Sequence, residues 1–462
     1  MASSSSLGEL DALIDGFSRA AFHANAAWFV GAGISRGSNL AGWVELLAPL
    51  GKQLGISVNP TDDLPAIAQY YVNRLSGNRG PLIQHLQQSL GRGAKPSFYH
   101  HQIARSNVGT IWTTNYDHLL ESAAASAGLR LRVRTRESDM VGLADAGGLD
   151  IIKAHGSFGI SAPEEFVIAT ADYEDYAVSR PATTSRLRAD LLSKSFLFVG
   201  YGYGDPNIRA VLLEARRLAA RASHSHYMLT AAVSSSDEEN VVRQALWKED
   251  LARIGIICVI VPDYAAIEDA VSRIVRRSRG PTVYITGSHM SNHALACNVG
   301  VALANPGRRP TILFDGQSTG LSRDVLSSFQ RECIDRRIDI NERLRFFANP
   351  YAANPRFSND PTLIPLLKEW RGSMLRQVHS VLIFDGGMGT RAETDLAREL
   401  GCCVIPVPTI RDGSAMSLLD DAQIIADLNR RAPGYIAKAK SLSLTADDVV
   451  DCLLADMPPW PY

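Results

Sequence analysis

Short, wholly apolar segments that end in a small or polar residue recur along this chain, and they restrict its fold more than any other feature. The first set comprises residues 27–30, 110–113, 151–154, 196–199 and 256–261. Apolar runs without alternation are typical of strands buried on both faces of a parallel sheet. Helical patterns separate them, as at 207–222 and 266–275. This order predicts a doubly wound α/β domain.

A second series of the same kind begins after a basic stretch at 273–281 that ends in Gly280-Pro281. Its apolar runs are residues 282–285, 311–314, 345–347, 381–384 and 403–406. We therefore predict an α/β protein with two Rossmann-like doubly wound domains, at 1–278 and 279–462. Residues 40–100 contain no clear strand, and we interpret them as a mainly helical insertion in the first domain.

Charge, hydropathy and cysteine spacing exclude several kinds of protein. Lys plus Arg number 47 against 48 for Asp plus Glu, so bulk charge attracts neither nucleic acid nor an anionic membrane. The longest apolar run, 254–261, is much shorter than the roughly 20 residues of a membrane-spanning helix, and the start resembles no secretory signal. The six cysteines form no Cys-x-x-Cys pair, which argues against zinc. We expect a cytoplasmic protein without a metal.

Polar or glycine-rich turns follow four of the predicted strands in the first domain. They are Gly31-Ala-Gly-Ile-Ser35, Thr114-Asn-Tyr-Asp117, His155-Gly156 and the segment 200–206. Each alone is equally well a capped turn or a structural histidine. The carboxyl ends of parallel strands share one edge, where glycines let the backbone approach a pyrophosphate. Together the turns predict one nucleotide-binding crevice.

These four turns resemble the signatures of the sirtuin family, and the resemblance covers roughly residues 20–275. It implies that the protein binds NAD as its substrate. By position, Gly31, Ala32, Gly33 and Ser35 would cradle the diphosphate, Asn115 and Asp117 would hold the nicotinamide ribose, and Gly200 and Tyr201 would lie along the adenosine half. His155 and Asp205 are assigned to the same NAD site.

The absent zinc module decides which chemistry the resemblance implies. Sirtuin deacetylases carry two Cys pairs that help to hold the acyl-lysine groove, and this sequence has none. Water then remains as the acceptor, and the nicotinamide–ribose bond would break through an oxocarbenium-like transition state. Asn115 can orient water or ribose hydroxyls, and neutral His155 can accept a proton near pH 7. The hypothesis is an NAD+ hydrolase with Asn115 and His155 as catalytic residues.

The second domain has its own candidate site. Gly287-Ser288 follows one predicted strand, and Asp385-Gly-Gly-Met-Gly-Thr-Arg-Ala-Glu393 joins another to a helix predicted at 390–400. Backbone donors at a helix start face anions. Glu393 could bond ribose hydroxyls or simply be good helix electrostatics, and Arg371 could supply a forked phosphate donor.

This pattern resembles the LOG nucleotide phosphoribohydrolases and their SLOG sensor relatives over about 280–425, with Asp385 in place of that family's Pro. The residues it assigns to an activating nucleotide are Gly287, Ser288, Arg371, Gly386, Gly387, Gly389, Thr390 and Glu393.

A sirtuin-like domain followed by a SLOG domain resembles the layout of the effectors of Thoeris anti-phage defence. That resemblance implies a TIR-domain partner that makes a cyclic ADP-ribose isomer. The isomer would bind the SLOG domain and activate NAD hydrolysis, and loss of NAD would abort infection. It also implies a homo-tetramer or filament.

Three alternatives remain open at this point. The first is a zinc-free protein deacylase or ADP-ribosyltransferase. The second places the enzyme in the C-terminal half, where it would cleave nucleoside monophosphates. The third is a non-enzymatic nucleotide sensor, against which the pairing of Asn115 with His155 argues, because binding alone needs no base.

Overall fold

The structure is a computed structural model that describes residues 4–59, 62–90, 93–141, 148–201, 205–218, 225–289, 291–305, 307–308, 311–316, 318–348 and 360–458. The chain forms two compact units, Met1–Val275 and Arg276–Tyr462. Each is built on one parallel sheet flanked by helices, so the predicted fold class is confirmed. Within the described ranges, no helix combines the length and hydropathy that crossing a bilayer requires.

The first unit contains a parallel sheet of seven strands in the order β3-β4-β2-β1-β5-β6-β7. The strands are β1 Ala26–Val30, β2 Thr110–Thr113, β3 Leu131–Arg134, β4 Leu149–Lys153, β5 Ser195–Val199, β6 His226–Ala231 and β7 Ile256–Val261. All residues of β1, β2, β4 and β5 are buried. Strands β3 and β6 were not predicted from the sequence. Strand β3, Leu-Arg-Val-Arg, alternates apolar and charged residues at the edge of the sheet, and β6, His-Tyr-Met-Leu-Thr-Ala, mixes polar and apolar residues.

Alternate residues of β1 point into different cores, which is the signature of a sheet covered on both faces. Trp28 and Val30 belong to the core that includes Phe17, whereas Phe29 belongs to the core that includes Leu187. The helices are α1 Ser4–Phe22, α2 Trp43–Leu54, α3 Leu64–Arg74, α4 Gly80–Leu90, α5 Phe98–Arg105, α6 Leu119–Ser126, α7 Thr170–Glu174, α8 Tyr176–Ser179, α9 Pro181–Ser193, α10 Pro206–Leu218, α11 Glu238–Arg253 and α12 Tyr264–Arg277.

Helices α2, α3, α4 and α5 occupy residues 40–100 and form the predicted helical insertion. The first three have a core of their own, in which Leu47 and Leu86 pack with Tyr116, Phe158 and Phe166. Tyr116 comes directly after Asn115, and Phe158 and Phe166 lie soon after His155. The insertion is therefore packed against the loops that carry the candidate site.

The second unit contains a parallel sheet of five strands in the order β10-β9-β8-β11-β12. The strands are β8 Thr282–Thr286, β9 Ile312–Asp315, β10 Leu344–Phe346, β11 Ser380–Phe384 and β12 Cys403–Val407, at the five predicted places. The helices are α13 His293–Ala304, α14 Leu321–Asp335, α15 Ile340–Arg343, α16 Ile364–Leu375, α17 Met388–Glu399, α18 Ser414–Ser417, α19 Ala422–Arg431, α20 Tyr435–Lys440 and α21 Ala446–Leu454.

Candidate active site

The four predicted turns of the first unit lie at the carboxyl ends of four adjacent strands, in the order β4-β2-β1-β5. Val30 of β1 is in register with Thr113 of β2 and Val199 of β5, and Thr113 is in register with Lys153 of β4. Neighbouring strands lie about 4.7–4.9 Å apart, so the turns share one edge. Chain connections leave β1 and β5 in opposite directions, which is where doubly wound sheets bind ligands. Residues 202–204 of the fourth turn lie outside the described residues.

Two of the glycines predicted to cradle a diphosphate are used to bring β1 and β5 together. The Gly31 N–H donates to the Val199 carbonyl (3.1 Å) and the Gly33 N–H to the Gly200 carbonyl (2.8 Å). A Cβ on Gly31 would lie 2.5 Å from the Gly200 oxygen, and one on Gly33 would lie 2.7 Å from the Gly200 Cα. Both N–H groups are therefore engaged within the protein, and the place of these glycines beside a diphosphate stays a prediction. Ala32 and Gly33 remain exposed.

We expect Gly31→Ala to destabilise the first unit by about 1–3 kcal/mol, the usual cost of overpacking. The added methyl group must displace backbone atoms rather than a flexible side chain. Urea unfolding would measure it. Gly8→Ala is the matched control, because Gly8 is exposed in α1 with no atom within 4 Å of the new methyl, and a helical Gly-to-Ala change stabilises by up to about 1 kcal/mol. Equal changes in the free energy of unfolding for Gly31→Ala and Gly8→Ala would contradict the close approach of Gly31 to the Gly200 backbone.

Asn115, Ser35 and Asp117 form one hydrogen-bonded group. Asn115 Nδ2 donates to the Gly31 carbonyl (3.2 Å) and to Ser35 Oγ (3.2 Å), and Ser35 Oγ donates to Asp117 Oδ2 (3.0 Å). Asp117 Oδ1 accepts from the Leu119 N–H (3.0 Å) at the start of α6. Ser35 and Asp117 thus support Asn115, and their predicted contacts with the diphosphate and ribose stay predictions.

The Asn115 side chain is 7% exposed, and its Oδ1 atom has no hydrogen-bond partner among the described residues. A buried acceptor without a partner costs about 1–3 kcal/mol. A water molecule or a sugar hydroxyl at this edge of the sheet would remove that cost. Asn115 Oδ1 is therefore an acceptor that no described residue satisfies, and its catalytic role stays a prediction.

His155 lies at the corresponding place on the next strand, two residues beyond Lys153. Its Nε2 is 2.8 Å from Asp205 Oδ2, and both side chains are more than nine-tenths buried. Asp205 Oδ1 accepts from the N–H groups of Asn207 (2.9 Å) and Ile208 (3.1 Å), which caps α10. The sequence analysis placed Asp205 among the NAD contacts, but the structure places it beside His155.

The Asp205 carboxylate is held in its charged form. Burial alone would raise its pKa, but the neighbouring His155 and the backbone hydrogen bonds outweigh burial and place the pKa below its ordinary value. A charged carboxylate next to an imidazole stabilises the imidazolium that forms when the ring accepts a proton. The pair is therefore suited to general-base chemistry.

Lys153 is a supporting residue that the sequence analysis missed. Its side chain is 1% exposed on β4, and Nζ pairs with Glu121 (2.9 Å) and donates to the carbonyls of Tyr116 (3.4 Å) and Asp117. It thereby ties the turn that carries Asn115 to the strand that carries His155. A lysine within an otherwise apolar buried run was the available signal, since buried lysines are almost always paired.

The segment after His155 is fastened to the helical insertion. Arg79 donates to Asp172 through both Nη1 (2.5 Å) and Nη2 (2.8 Å), and Nη2 also donates to the Phe166 carbonyl (2.8 Å). Tyr173, next to Asp172, packs edge-on against the His155 ring with centroids 5.6 Å apart. The insertion therefore supports one wall of the site.

In the second unit, Arg371 and Glu393, which were both predicted to contact the activating nucleotide, form an ion pair with each other. Arg371 Nε donates to Glu393 Oε1 (2.5 Å), and Arg371 Nη2 donates to the Tyr284 hydroxyl (2.9 Å). Tyr284 and Thr286 also donate to Glu393 Oε2 (3.0 and 2.6 Å). Helix α17 begins at Met388, two residues before the predicted start, so Glu393 lies beyond the first turn. Its carboxylate accepts hydrogen bonds from side chains of β8 and α16, and its contact with an activating nucleotide stays a prediction.

The remaining predicted residues of the second unit lie where β8 and β11 end side by side. Gly386 N–H donates to Ser414 Oγ (3.0 Å) and Gly387 N–H to Ser288 Oγ (3.4 Å). A Cβ on Gly287 would lie 2.5 Å from Phe384 Cβ. The residues exposed at this edge are Ser288, Gly387 and Gly389, whereas Gly287, Gly386 and Thr390 are buried.

Asp385 is occupied by the loop that follows β12. Its Oδ2 accepts from the N–H groups of Thr409 (2.6 Å) and Ile410 (3.1 Å), and its Oδ1 accepts from the Ala415 N–H (2.9 Å). Asp385 is fully buried. These contacts give Asp385 a structural role at the end of β11.

Comparisons with known proteins match part of the first unit to a family model and most of the chain to named relatives. The family model described as SIR2-like domain matches residues 109–253. The protein named NAD(+) hydrolase ThsA of Bacillus cereus (strain MSX-D12) is 31% identical over 62% of this chain and 61% of its own length. Proteins of the same name are 32% identical in Enterococcus faecium, over 60% of each chain, and 27% identical in Acinetobacter baumannii (strain 532279), over 92% of each chain. The match thus spans about three fifths of the first of these relatives. Residues 109–253 are thus similar to a SIR2-like domain, and the chain as a whole is similar to the ThsA proteins.

Proposed function

We propose that this protein is an NAD+ hydrolase that releases nicotinamide and ADP-ribose. The observation that carries the proposal is the arrangement of Asn115 and His155. They follow neighbouring strands in register, one with an unpartnered acceptor and the other beside a charged carboxylate. The names of the ThsA relatives, which call them NAD(+) hydrolases, support the same reaction.

In the proposed reaction the bond between ribose C1′ and the nicotinamide nitrogen breaks, and its electron pair leaves with nicotinamide. The oxygen of water forms the new bond to C1′. Asn115 Oδ1 would accept a hydrogen bond from that water or from a ribose hydroxyl, and His155 would accept the proton that water loses. Asp205 would stabilise the resulting imidazolium. Among the described residues, no group of three His, Cys, Asp or Glu side chains is placed to hold a metal ion.

For the second unit we propose nucleotide sensing. A cyclic ADP-ribose isomer, made by a TIR-domain protein, would bind at the edge formed by Ser288, Gly387 and Gly389, and NAD hydrolysis would then begin. In the cytoplasm of an infected cell, NAD depletion by homo-tetramers or filaments would stop phage growth. An activator that binds the active state about 100-fold better would shift the equilibrium by roughly 2.7 kcal/mol. The start of α17 supports this site, because Gly387 and Gly389 are exposed there and the start of a helix suits an anion.

Nicotinamide release from NAD by the purified chain tests this function. We expect slow release without added nucleotide and faster release with one of the cyclic ADP-ribose isomers, because the isomer would favour the active state. Equal rates with and without every isomer would contradict the sensing proposal but leave hydrolysis standing. Absence of release in all mixtures would contradict hydrolysis. Parallel assays with an acyl-lysine peptide, an acceptor protein and a nucleoside monophosphate would then identify which alternative reaction applies.

A further inference from the structure

His100 of α5 is a fully buried histidine that touches the Asn115 group without contacting Asn115 itself. The side chain is 0% exposed. Its Nδ1 accepts a hydrogen bond from the Ser97 N–H (3.1 Å), and its Nε2 is 3.4 Å from Ser35 Oγ. Ser97 is the N-cap residue directly before α5. One ring nitrogen therefore caps a helix, and the other faces the candidate active site.

The contact at Nδ1 determines where the ring carries its proton. Ser97 Oγ also lies 2.8 Å from Nδ1 and 3.0 Å from the Ile34 carbonyl, and its hydroxyl can donate to either. The Ser97 backbone N–H can only donate, and it therefore favours an unprotonated Nδ1. Burial lowers the pKa of His100 to about 4, despite the opposing charge of Asp117, and the ring is therefore neutral near pH 7. A neutral ring with a bare Nδ1 carries its proton on Nε2. His100 thus donates to Ser35 Oγ.

That donation fixes the remaining hydrogen bonds of Ser35. A serine hydroxyl has one donor and two acceptor lone pairs. His100 and Asn115 Nδ2 (3.2 Å) fill the acceptor positions, so the hydroxyl proton goes to Asp117 Oδ2 (3.0 Å). All three positions are used. Without the proton from His100, the Ser35 hydroxyl could rotate and lose its contact with Asn115.

The Asn115 amide is therefore held in one of its two orientations. Nδ2 faces two acceptors, the Gly31 carbonyl and Ser35 Oγ, while Oδ1 is left without a partner. We propose that His100 is a positioning residue for the hydrolysis of NAD, and that its Nε2–H acts through Ser35 to keep Asn115 Oδ1 aimed at the reacting water or ribose. This inference rests on the proposed function.

Two substitutions separate the helix-capping contact from the positioning contact. In His100→Asn, the amide oxygen can still accept from the Ser97 N–H, but the side chain is too short to reach Ser35. In His100→Gln, the longer amide can place an N–H near the position of Nε2. We expect His100→Asn to lower kcat by about 10- to 100-fold, as small misplacements of a catalytic group do. KM should change little, because the lost interaction acts on the transition state. His100→Gln should restore most of kcat.

Steady-state kinetics of the full-length variants, with the cyclic ADP-ribose isomer that activates the wild type, would measure this. A wild-type kcat in His100→Asn would overturn the proposal, since that variant retains the cap. Equal losses in both variants would also overturn it, since the donor at Nε2 would then be irrelevant. Thermal unfolding of both proteins would show whether either loss reflects misfolding.

Nitrogen-15 NMR of the histidine rings gives a readout that does not depend on turnover. The His100 signals, assigned by their absence from His100→Gln, should report a neutral ring protonated at Nε2 at pH 7. A charged ring, or a proton on Nδ1, would overturn the hydrogen-bond chain even if the enzyme is active. Failure of the wild type to hydrolyse NAD would instead refute the proposed function. The NMR result would still show whether the hydrogen bonds from His100 through Ser35 to Asn115 are as proposed.

Discussion

Replacing His155 with Ala should lower the rate of nicotinamide release by about 100- to 10,000-fold, the range that a general base contributes. The imidazole is the proton acceptor of the proposed reaction, and its Nε2 already lies 2.8 Å from the charged Asp205 carboxylate. The comparison is single-turnover release of nicotinamide by wild type and variant at saturating NAD. Asp205→Asn should cost less, because the base remains and only its charged partner is neutralised.

His23→Ala is a suitable control for this experiment. His23 is exposed and lies directly before β1, at the amino edge of the sheet, whereas the candidate site lies at the carboxyl edge. It should retain the wild-type rate. If His155→Ala released nicotinamide as fast as the control while the wild type hydrolysed NAD, the proposed NAD+ hydrolysis would still hold, but a group other than His155 would have to accept the proton.

The strands of both sheets could largely be predicted, since burial on two faces leaves a direct trace in the sequence. Phe196 to Val199 of β5 is such a run, and all of β5 is buried. The place of the site also follows from sequence, because chain connectivity alone puts residues after parallel strands at one edge. Asn115 and His155 were found in this way. Strands β3 and β6 were missed because their residues do not follow a fully buried pattern.

The partners of the site residues could not be predicted, because they depend on side-chain direction and on contacts between distant segments. Asp205 is 50 positions from His155, and the two meet only once β4 and β5 have their places in the sheet. Glu393 and Arg371 were both assigned to a ligand from their positions in a motif. They bind each other in the structure, because α16 and α17 bring these two positions together.

Arg371→Met should strongly destabilise the second unit, because it removes one partner of the ion pair between Arg371 and Glu393. The side chains are 6% and 14% exposed, and removing one partner of a buried pair costs about 3–5 kcal/mol because it leaves an uncompensated charge. Hydrogen exchange of the β11 amides would measure the free energy of opening of the second unit. Replacing both residues, as Arg371→Met with Glu393→Gln, should recover part of the loss because no buried charge is left alone.

The same two helices supply the matched control. Lys368 of α16 pairs with Glu399 of α17 at 2.9 Å, but these side chains are 54% and 56% exposed, and exposed pairs contribute about 0–1 kcal/mol. Lys368→Met should therefore leave β11 exchange nearly unchanged. If Arg371→Met behaved like Lys368→Met, the ion pair would not stabilise the second unit, and the nucleotide contact predicted for Arg371 would be favoured instead. If Arg371→Met instead destabilises the second unit, loss of activation in that variant would reflect a damaged fold. Only the variant that carries both Arg371→Met and Glu393→Gln can then test whether the activator contacts Arg371.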